Sequence, residues 1–303
     1  MSEVQLSMPA DFAGRVAVIT GGASGIGFAS ALQATRAGMK IAIADIEADA
    51  LERAVGKIRE GGGDVIGIRT DVSDIESVRE LAQTVQSRLG DPWLVMNNAG
   101  VAKLGLAWEL KHQDWSWVLG VNLNGVINGV ATFLPCLVAR KSGYMVNTAS
   151  AAGLLGVPGG APYVASKHAV VGLSESIFRE LKAVCSPVGI SVLCPAAVDT
   201  RIAYADRNQP GLPHYESPTE GFPPIPLDEP INIISPNDVA TQVFDAIQHR
   251  RFWILPHAGQ IRQAVINRAV QMVDEHNPDS ASMDHISALL HSMITGVDFI
   301  EKN

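Results

Sequence analysis

The chain has 303 residues, 47% of them apolar, and a formal net charge of −8 at pH 7. That length can bury a large core as one α/β domain, or as one domain plus additions. The mild acidity, with no basic stripe, argues against nucleic acid as a partner. No apolar run looks long enough to span a membrane, and no basic stretch precedes an apolar signal core, so no membrane partner and a cytoplasmic location are expected. The three cysteines, Cys136, Cys185 and Cys194, have neither CxxC nor metal-ligand spacing; reduced thiols and no metal site are expected.

After a polar lead-in over 1–12, strand-like runs alternate with helical patterns. Strands are predicted at 16–20, 40–45, 64–69, 93–97, 143–148, 189–194 and 252–255, and helices near 25–37, 47–60, 74–89, 114–140, 161–184 and 236–249. Gly61 to Gly63 and Gly90-Asp91-Pro92 punctuate the units. The alternation predicts a Rossmann-type, doubly wound parallel sheet of about seven strands with helices on both faces, spanning 12–256. Residues 201–235 break the rhythm with seven prolines, aromatics at Tyr204, Tyr215 and Phe222, and apolar Leu212, Ile225 and Leu227. So long an insert points to a lid over a substrate. A C-terminal extension, 257–303, reads as two amphipathic helices near 259–275 and 280–295, split at Asn277-Pro278.

Two constellations carry chemistry. The first is Gly21, Gly22, Ala23, Ser24, Gly25, Ile26 and Gly27, between a predicted strand and a helix, with Asp45 closing the next strand. Glycines let the backbone approach a pyrophosphate that the helix N-terminus attracts, and an acid about twenty residues on completes a dinucleotide-binding pattern. The second is Tyr163 and Lys167, four apart and so on one helix face, with Ser150 upstream. A cation beside a phenol of ordinary pKa about 10 favours the phenolate and makes a general base.

With these motifs in order, residues 12–256 resemble a short-chain dehydrogenase/reductase. Asp71-Val72, Asn97-Asn98-Ala99-Gly100, Pro195 and Thr200 fall at family-like places, and the thirteen residues from Ser150 to Tyr163 match the family interval. The resemblance implies NAD-dependent hydride transfer with Tyr163 as acid/base and Lys167 lowering its pKa and binding the nicotinamide ribose. It makes Ser150 the partner of the substrate oxygen, and Asn122 the holder of a water linking Lys167 to solvent. Gly21, Ser24, Gly25, Ile26 and Gly27 would lie along the phosphates, and Asp45, followed by Ile46, would bind the adenosine ribose. Asp71 and Val72 would flank adenine, Asn98, followed by Ala99 and Gly100, a ribose, and Val198 and Thr200 the nicotinamide amide. No Arg or Lys lies within the glycine turn or directly after Asp45 to neutralise a 2′-phosphate, so NAD is expected over NADP. One departure is Ala196, where the family usually has glycine after Pro195.

The apolar stretch 151–160, with Trp108, Leu154 and Val157, suggests a hydrophobic pocket. The stretch 121–129, the insert and the C-terminal extension resemble bacterial dehydrogenases that oxidise the benzylic Cα alcohol of lignin-type β-aryl ethers. The expected substrate is therefore a secondary alcohol or ketone on a bulky hydrophobic or aromatic molecule. A reductase of acyl-chain or steroid-like ketones is the alternative within the family, and a catalytically silent NAD-binding sensor or scaffold the alternative outside it. Family likeness also implies a homodimer or homotetramer through the two long helices, with Phe133, Leu137, Val171 and Ile177 in the contact.

Overall fold

The computed structural model describes residues 12–211 and 232–277. Seven strands form one all-parallel sheet: β1 (Val16–Thr20), β2 (Lys40–Asp45), β3 (Val65–Arg69), β4 (Pro92–Asn97), β5 (Tyr144–Thr148), β6 (Gly189–Leu193) and β7 (Trp253–Ile254). They lie in the order β3-β2-β1-β4-β5-β6-β7. The inner strands are buried on both faces, which is why they are near-continuous apolar runs rather than alternating ones. Alternation survives as a choice between two cores. Ala17 and Ile19 of β1 join α1 (Gly25–Arg36), α2 (Ala48–Glu60) and α7 (Pro236–Gln248) on one side. Val16 and Val18 join α3 (Ile75–Arg88), α5 (Gly125–Ala139) and α6 (Ala161–Ala183) on the other. The chain reverses direction across the sheet between β1 and β4, and the crevice at their carboxyl ends is where such a fold takes ligands.

The helix expected over 114–140 is divided. α4 (His112–Leu119) runs into a π turn, Gly120–Asn124, before α5, with the Gly125 N–H reaching back to the Gly120 carbonyl. The span His112–Ala139 is nevertheless long and apolar enough to cross a bilayer by length and composition, its most apolar 18-residue window having mean hydropathy 1.5, which corrects the reading that no stretch reaches that length. Its polar Asn122, Asn124 and Asn128 interrupt the apolar run in sequence. In the fold it packs on the sheet and against α3 and α6, burying Phe133 and Leu137.

Phe133, Leu137, Val171 and Ile177 are each under 10% exposed and packed into the chain's own cores. They are not an outer contact face, contrary to expectation. The outer side of α5 instead carries Ile127, 41% exposed, with exposed Ala131 and Pro135, and that of α6 exposed Ala165 and Gly172.

The chain leaves β6 through a 3-10 turn, Arg201–Asn208, where a plain loop was expected. It returns at residue 232, and Val198 and Ile234 then form an isolated parallel bridge. After β7 comes α8 (Ala258–Val273). Tyr215, Phe222, Leu212, Ile225 and Leu227 of the predicted lid, and the second predicted C-terminal helix, lie outside the described residues.

Candidate active site

A cleft of about 350 Å³ opens along the carboxyl edge of the sheet. Gly21, Ser24, Gly25 and Ile26 after β1, Asp45 and Ile46 after β2, and Asp71 and Val72 after β3 line one half. Asn98, Ala99 and Gly100 after β4, Ser150 after β5, Tyr163 and Lys167 from α6, and Val198 and Thr200 after β6 line the rest. Of the candidate residues, Gly27 and Asn122 stand behind the wall.

The glycine turn is shaped by close packing. Gly21 has φ of +62°, a left-handed conformation that favours glycine, and a Cβ at Gly27 would fall 2.1 Å from the Gly21 carbonyl oxygen. Ser24 is the N-cap residue of α1, but its side chain caps no N–H group. The first-turn donors of α1 are thus left for an anion at the cleft. This cradle and the acids beyond it fit a dinucleotide. Asp45 accepts hydrogen bonds from the Ala23 N–H (3.0 Å) and the Glu47 N–H (3.1 Å), so its carboxylate is fixed between the turn and the start of α2. Burial pushes its pKa up, and those backbone donors pull it back. Asp71 is likewise held, accepting from the Ser73 N–H (2.9 Å) and hydroxyl (2.6 Å).

Asn98 ties three strand ends together. Its N–H donates to Thr20 Oγ1 (2.9 Å) and its Nδ2 to the Thr20 carbonyl (3.1 Å), while Thr148 Oγ1 donates to its Oδ1 (3.3 Å). The side chain that was expected at a ribose is therefore also a structural clasp.

At the other half, Lys167 is 2% exposed, and its Nζ donates to the Thr148 carbonyl at 2.8 Å. That nitrogen lies 5.5 Å from the centre of the Tyr163 ring, as the spacing of four along α6 requires. Ser150 caps a short 3-10 turn, Ala151–Gly153, accepting from the Ala152 N–H (3.2 Å) and donating to the Pro195 carbonyl (3.2 Å). Burial brings Lys167 down to about 8. It also pushes the Tyr163 phenol above its ordinary value, against the opposing pull of the Ser150 hydroxyl. The expected depression of the phenol is absent from the protein alone, because desolvation outweighs the Ser150 hydrogen bond. Cys194, behind Lys167, is pushed up by burial to about 12, so it stays a neutral thiol.

Asn122 sits in the π turn with both heteroatoms of its side chain engaged. Oδ1 accepts from the Val101 N–H (2.8 Å), and Nδ2 donates to the Val101 carbonyl (2.9 Å) and Ser166 Oγ (3.2 Å). The amide thus staples the segment after β4 to α6, and any water it holds must meet its backbone.

Other wall residues were not foreseen. Arg201 and Arg207, far along the chain, come to Glu47 beside Asp45, so cations do approach this end despite their absence from the local sequence. Trp117 lines the cleft, whereas Trp108 is 81% exposed and Leu154 and Val157 are not among the lining residues. Ala205 packs with Val101 and Val118 against Tyr163. Among the described residues no group of three His, Cys, Asp or Glu is placed to hold a metal ion.

Residues 15–211 match the family model for short chain dehydrogenases. The chain is 33% identical over 272 residues to a C alpha-dehydrogenase of Sphingobium, covering 88% of each chain. It is 31% identical to a CLA biosynthesis dehydrogenase/reductase of Lactiplantibacillus plantarum, covering 91% of this chain and 99% of that one. Among solved structures it superimposes with TM-score 0.81 and 39% identity on a short chain dehydrogenase/reductase from Burkholderia phymatum in complex with NAD, covering 89% of this chain and 98% of that one. Glycine cradle, strand-end acid, Ser, Tyr and Lys in one cleft, joined to these likenesses, mean that the chain belongs to the short chain dehydrogenase family.

Proposed function

We propose that this oxidoreductase moves a hydride between NAD and a secondary alcohol or ketone borne on a bulky hydrophobic or aromatic molecule. The observation that carries the reading is the joining of Ser150, Tyr163 and Lys167 to the glycine cradle and Asp45 in a single cleft. NAD would supply the hydride acceptor and a positive charge that favours the phenolate.

The chain's own residues do the remaining work. The Ser150 hydroxyl orients the substrate oxygen and steadies charge on it. Tyr163 Oη takes the hydroxyl proton as the alcohol is oxidised and returns one in the reverse direction. Lys167, held by Thr148, keeps a cation beside the phenolate in a site that otherwise disfavours charge. Asn122 fixes the Val101 wall, so its part is positioning, with its backbone left to hold a water toward Lys167.

Asp45 accepts from both hydroxyls of an adenosine ribose and repels a 2′-phosphate, which supports NAD over NADP. Glu47 holds Arg207 at 2.6 Å and stands 3.8 Å from Arg201, which reduces the positive charge that this end offers to a 2′-phosphate. The resemblance of 121–129 and the insert to lignin-type Cα-dehydrogenases, together with the likeness to a C alpha-dehydrogenase, supports an aryl carbinol as the substrate class. The likeness to a dehydrogenase/reductase is compatible with the second reading, the reductive direction on a ketone. The test is NADH absorbance with a panel of aromatic and aliphatic secondary alcohols, run with each cofactor. A signal with aryl carbinols and NAD supports the reading. A flat trace over the panel with NAD binding intact points to a silent binder, and equal kcat/KM with NADP removes the cofactor assignment.

We also propose a homodimer or homotetramer joined through the outer sides of α5 and α6, where Ile127 is exposed. Light scattering of wild type and Ile127→Glu checks this. A wild-type monomer, or an unchanged mass in the variant, contradicts it.

A further inference from the structure

We propose that Glu47 is a positioning residue that couples the adenosine end of the cleft to the 201–209 limb bounding the alcohol pocket. The inference rests on the dinucleotide reading given above.

Glu47 joins two systems through two different groups. Its backbone N–H donates to Asp45 Oδ1 (3.1 Å), so it helps to set the carboxylate meant for the adenosine ribose. Its side chain reaches across to residues some 160 positions later. Oε1 accepts from Arg207 Nη2 (2.6 Å), Arg207 Nε (3.1 Å) and Asn208 Nδ2 (2.9 Å), and Oε2 lies 3.8 Å from Arg201 Nη2. Arg207 uses Nη1 to hold the Arg201 (3.2 Å) and Tyr204 (2.7 Å) carbonyls, so one guanidinium both folds the 3-10 turn and fastens it to Glu47. The side chains are mostly withdrawn from water, with Arg207 10% exposed, Arg201 14% and Glu47 23%. Burial pushes Glu47 up, but Arg207, Asn208 and Arg201 more than offset it and hold the carboxylate below its ordinary value.

The inner side of the same limb faces the chemistry. Ala205 lies in the apolar cluster that includes Tyr163, and Ile202 lines the cleft. The far end is pinned separately, by Gln209 Nε2 donating to Asp114 Oδ1 at 2.5 Å. The limb therefore spans from the acid-bearing end of β2 to α4, with its Ala205 in the apolar cluster against which Tyr163 packs. A ligand that orders Asp45 and Glu47 orders the wall against which the alcohol must sit.

The test is hydrogen exchange of the full chain, with and without NADH, following the amides of 201–209. In the wild type NADH should slow their exchange at least about tenfold, as expected when local opening is suppressed. In Glu47→Gln that protection should be largely lost. Glu47→Gln/Arg207→Gln removes the carboxylate together with its principal cation, leaves only Arg201 of the cluster charged, and should fold while still lacking the protection. Glu52→Gln, on the exposed side of α2, is the control and should keep it. With an active alcohol, KM should rise more in the double variant than kcat falls. If NADH binds and protects 201–209 equally in the wild type and the double variant, or protects neither, the inference fails while the functional reading stands. If the wild type binds no NADH, both fail.

Discussion

His257 Nδ1 accepts a hydrogen bond from the backbone N–H of Ala196 at 3.1 Å. Since Nδ1 is the acceptor, Nε2 carries the proton and donates to the Asn232 carbonyl at 3.2 Å. The imidazole, 4% exposed, thus pins Ala196, the position where the family resemblance calls for glycine, and joins it to the returning limb at 232. His257→Ala leaves the partly buried Ala196 N–H without its acceptor, at a cost of about 1 kcal/mol. It should also lower kcat about tenfold or more through misplacement at the reacting end. His257→Gln, whose amide oxygen can accept the same bond, should recover much of the loss. Steady-state kinetics and thermal unfolding check this; an unchanged kcat in His257→Ala contradicts it.

The glycine turn yields a contrast. Gly27→Ala places a Cβ 2.1 Å from the Gly21 oxygen, so the turn must move and NADH affinity should fall at least about tenfold. Gly56, inside α2, has no atom within 4 Å of where a Cβ would stand. Gly56→Ala should therefore stabilise by about 0.5–1 kcal/mol with cofactor affinity unchanged. NADH fluorescence titration beside melting curves tests both; tight NADH binding by Gly27→Ala would rule out the cradle.

Lys167 makes stability and activity oppose each other. Its lowering from 10.5 to about 8 corresponds to a penalty of about 3 kcal/mol on the buried ammonium. Lys167→Met should raise stability near neutral pH by about 1–3 kcal/mol, the Thr148 carbonyl losing its donor, while turnover collapses. Between pH 8 and 10.5 the unfolded chain binds more protons at this site than the folded one, so this contribution makes the wild type more stable as pH rises. The gap between the variant and the wild type should then close. Melting curves at pH 7 and 10 check the sign; a gap that widens with pH contradicts it.

Much of this site was legible because its parts are local. Apolar runs marked the strands, and the turn, Asp45, Ser150, Tyr163 and Lys167 each follow a strand or ride one helix face, so the sheet alone brings them together. What was not legible depends on partners distant in sequence. Glu47 and Arg207 are 160 positions apart, and nothing in either neighbourhood announces the other. The π turn at Asn122 adds one residue to a helix that is apolar nearly all round, which hydrophobic periodicity does not register. The same lack of contrast misassigned Phe133 and Leu137 to an outer face when they pack inward.

Tyr163→Phe tests the central claim most directly, because it removes one oxygen and leaves the ring in its apolar cluster. Loss of the proton-transfer group should lower kcat by about 10²–10⁴-fold. The NADH dissociation constant should change by no more than about twofold, since the cradle, Asp45 and Lys167 remain in place. Turnover within about tenfold of wild type, with NADH bound normally, would contradict Tyr163 as the acid/base.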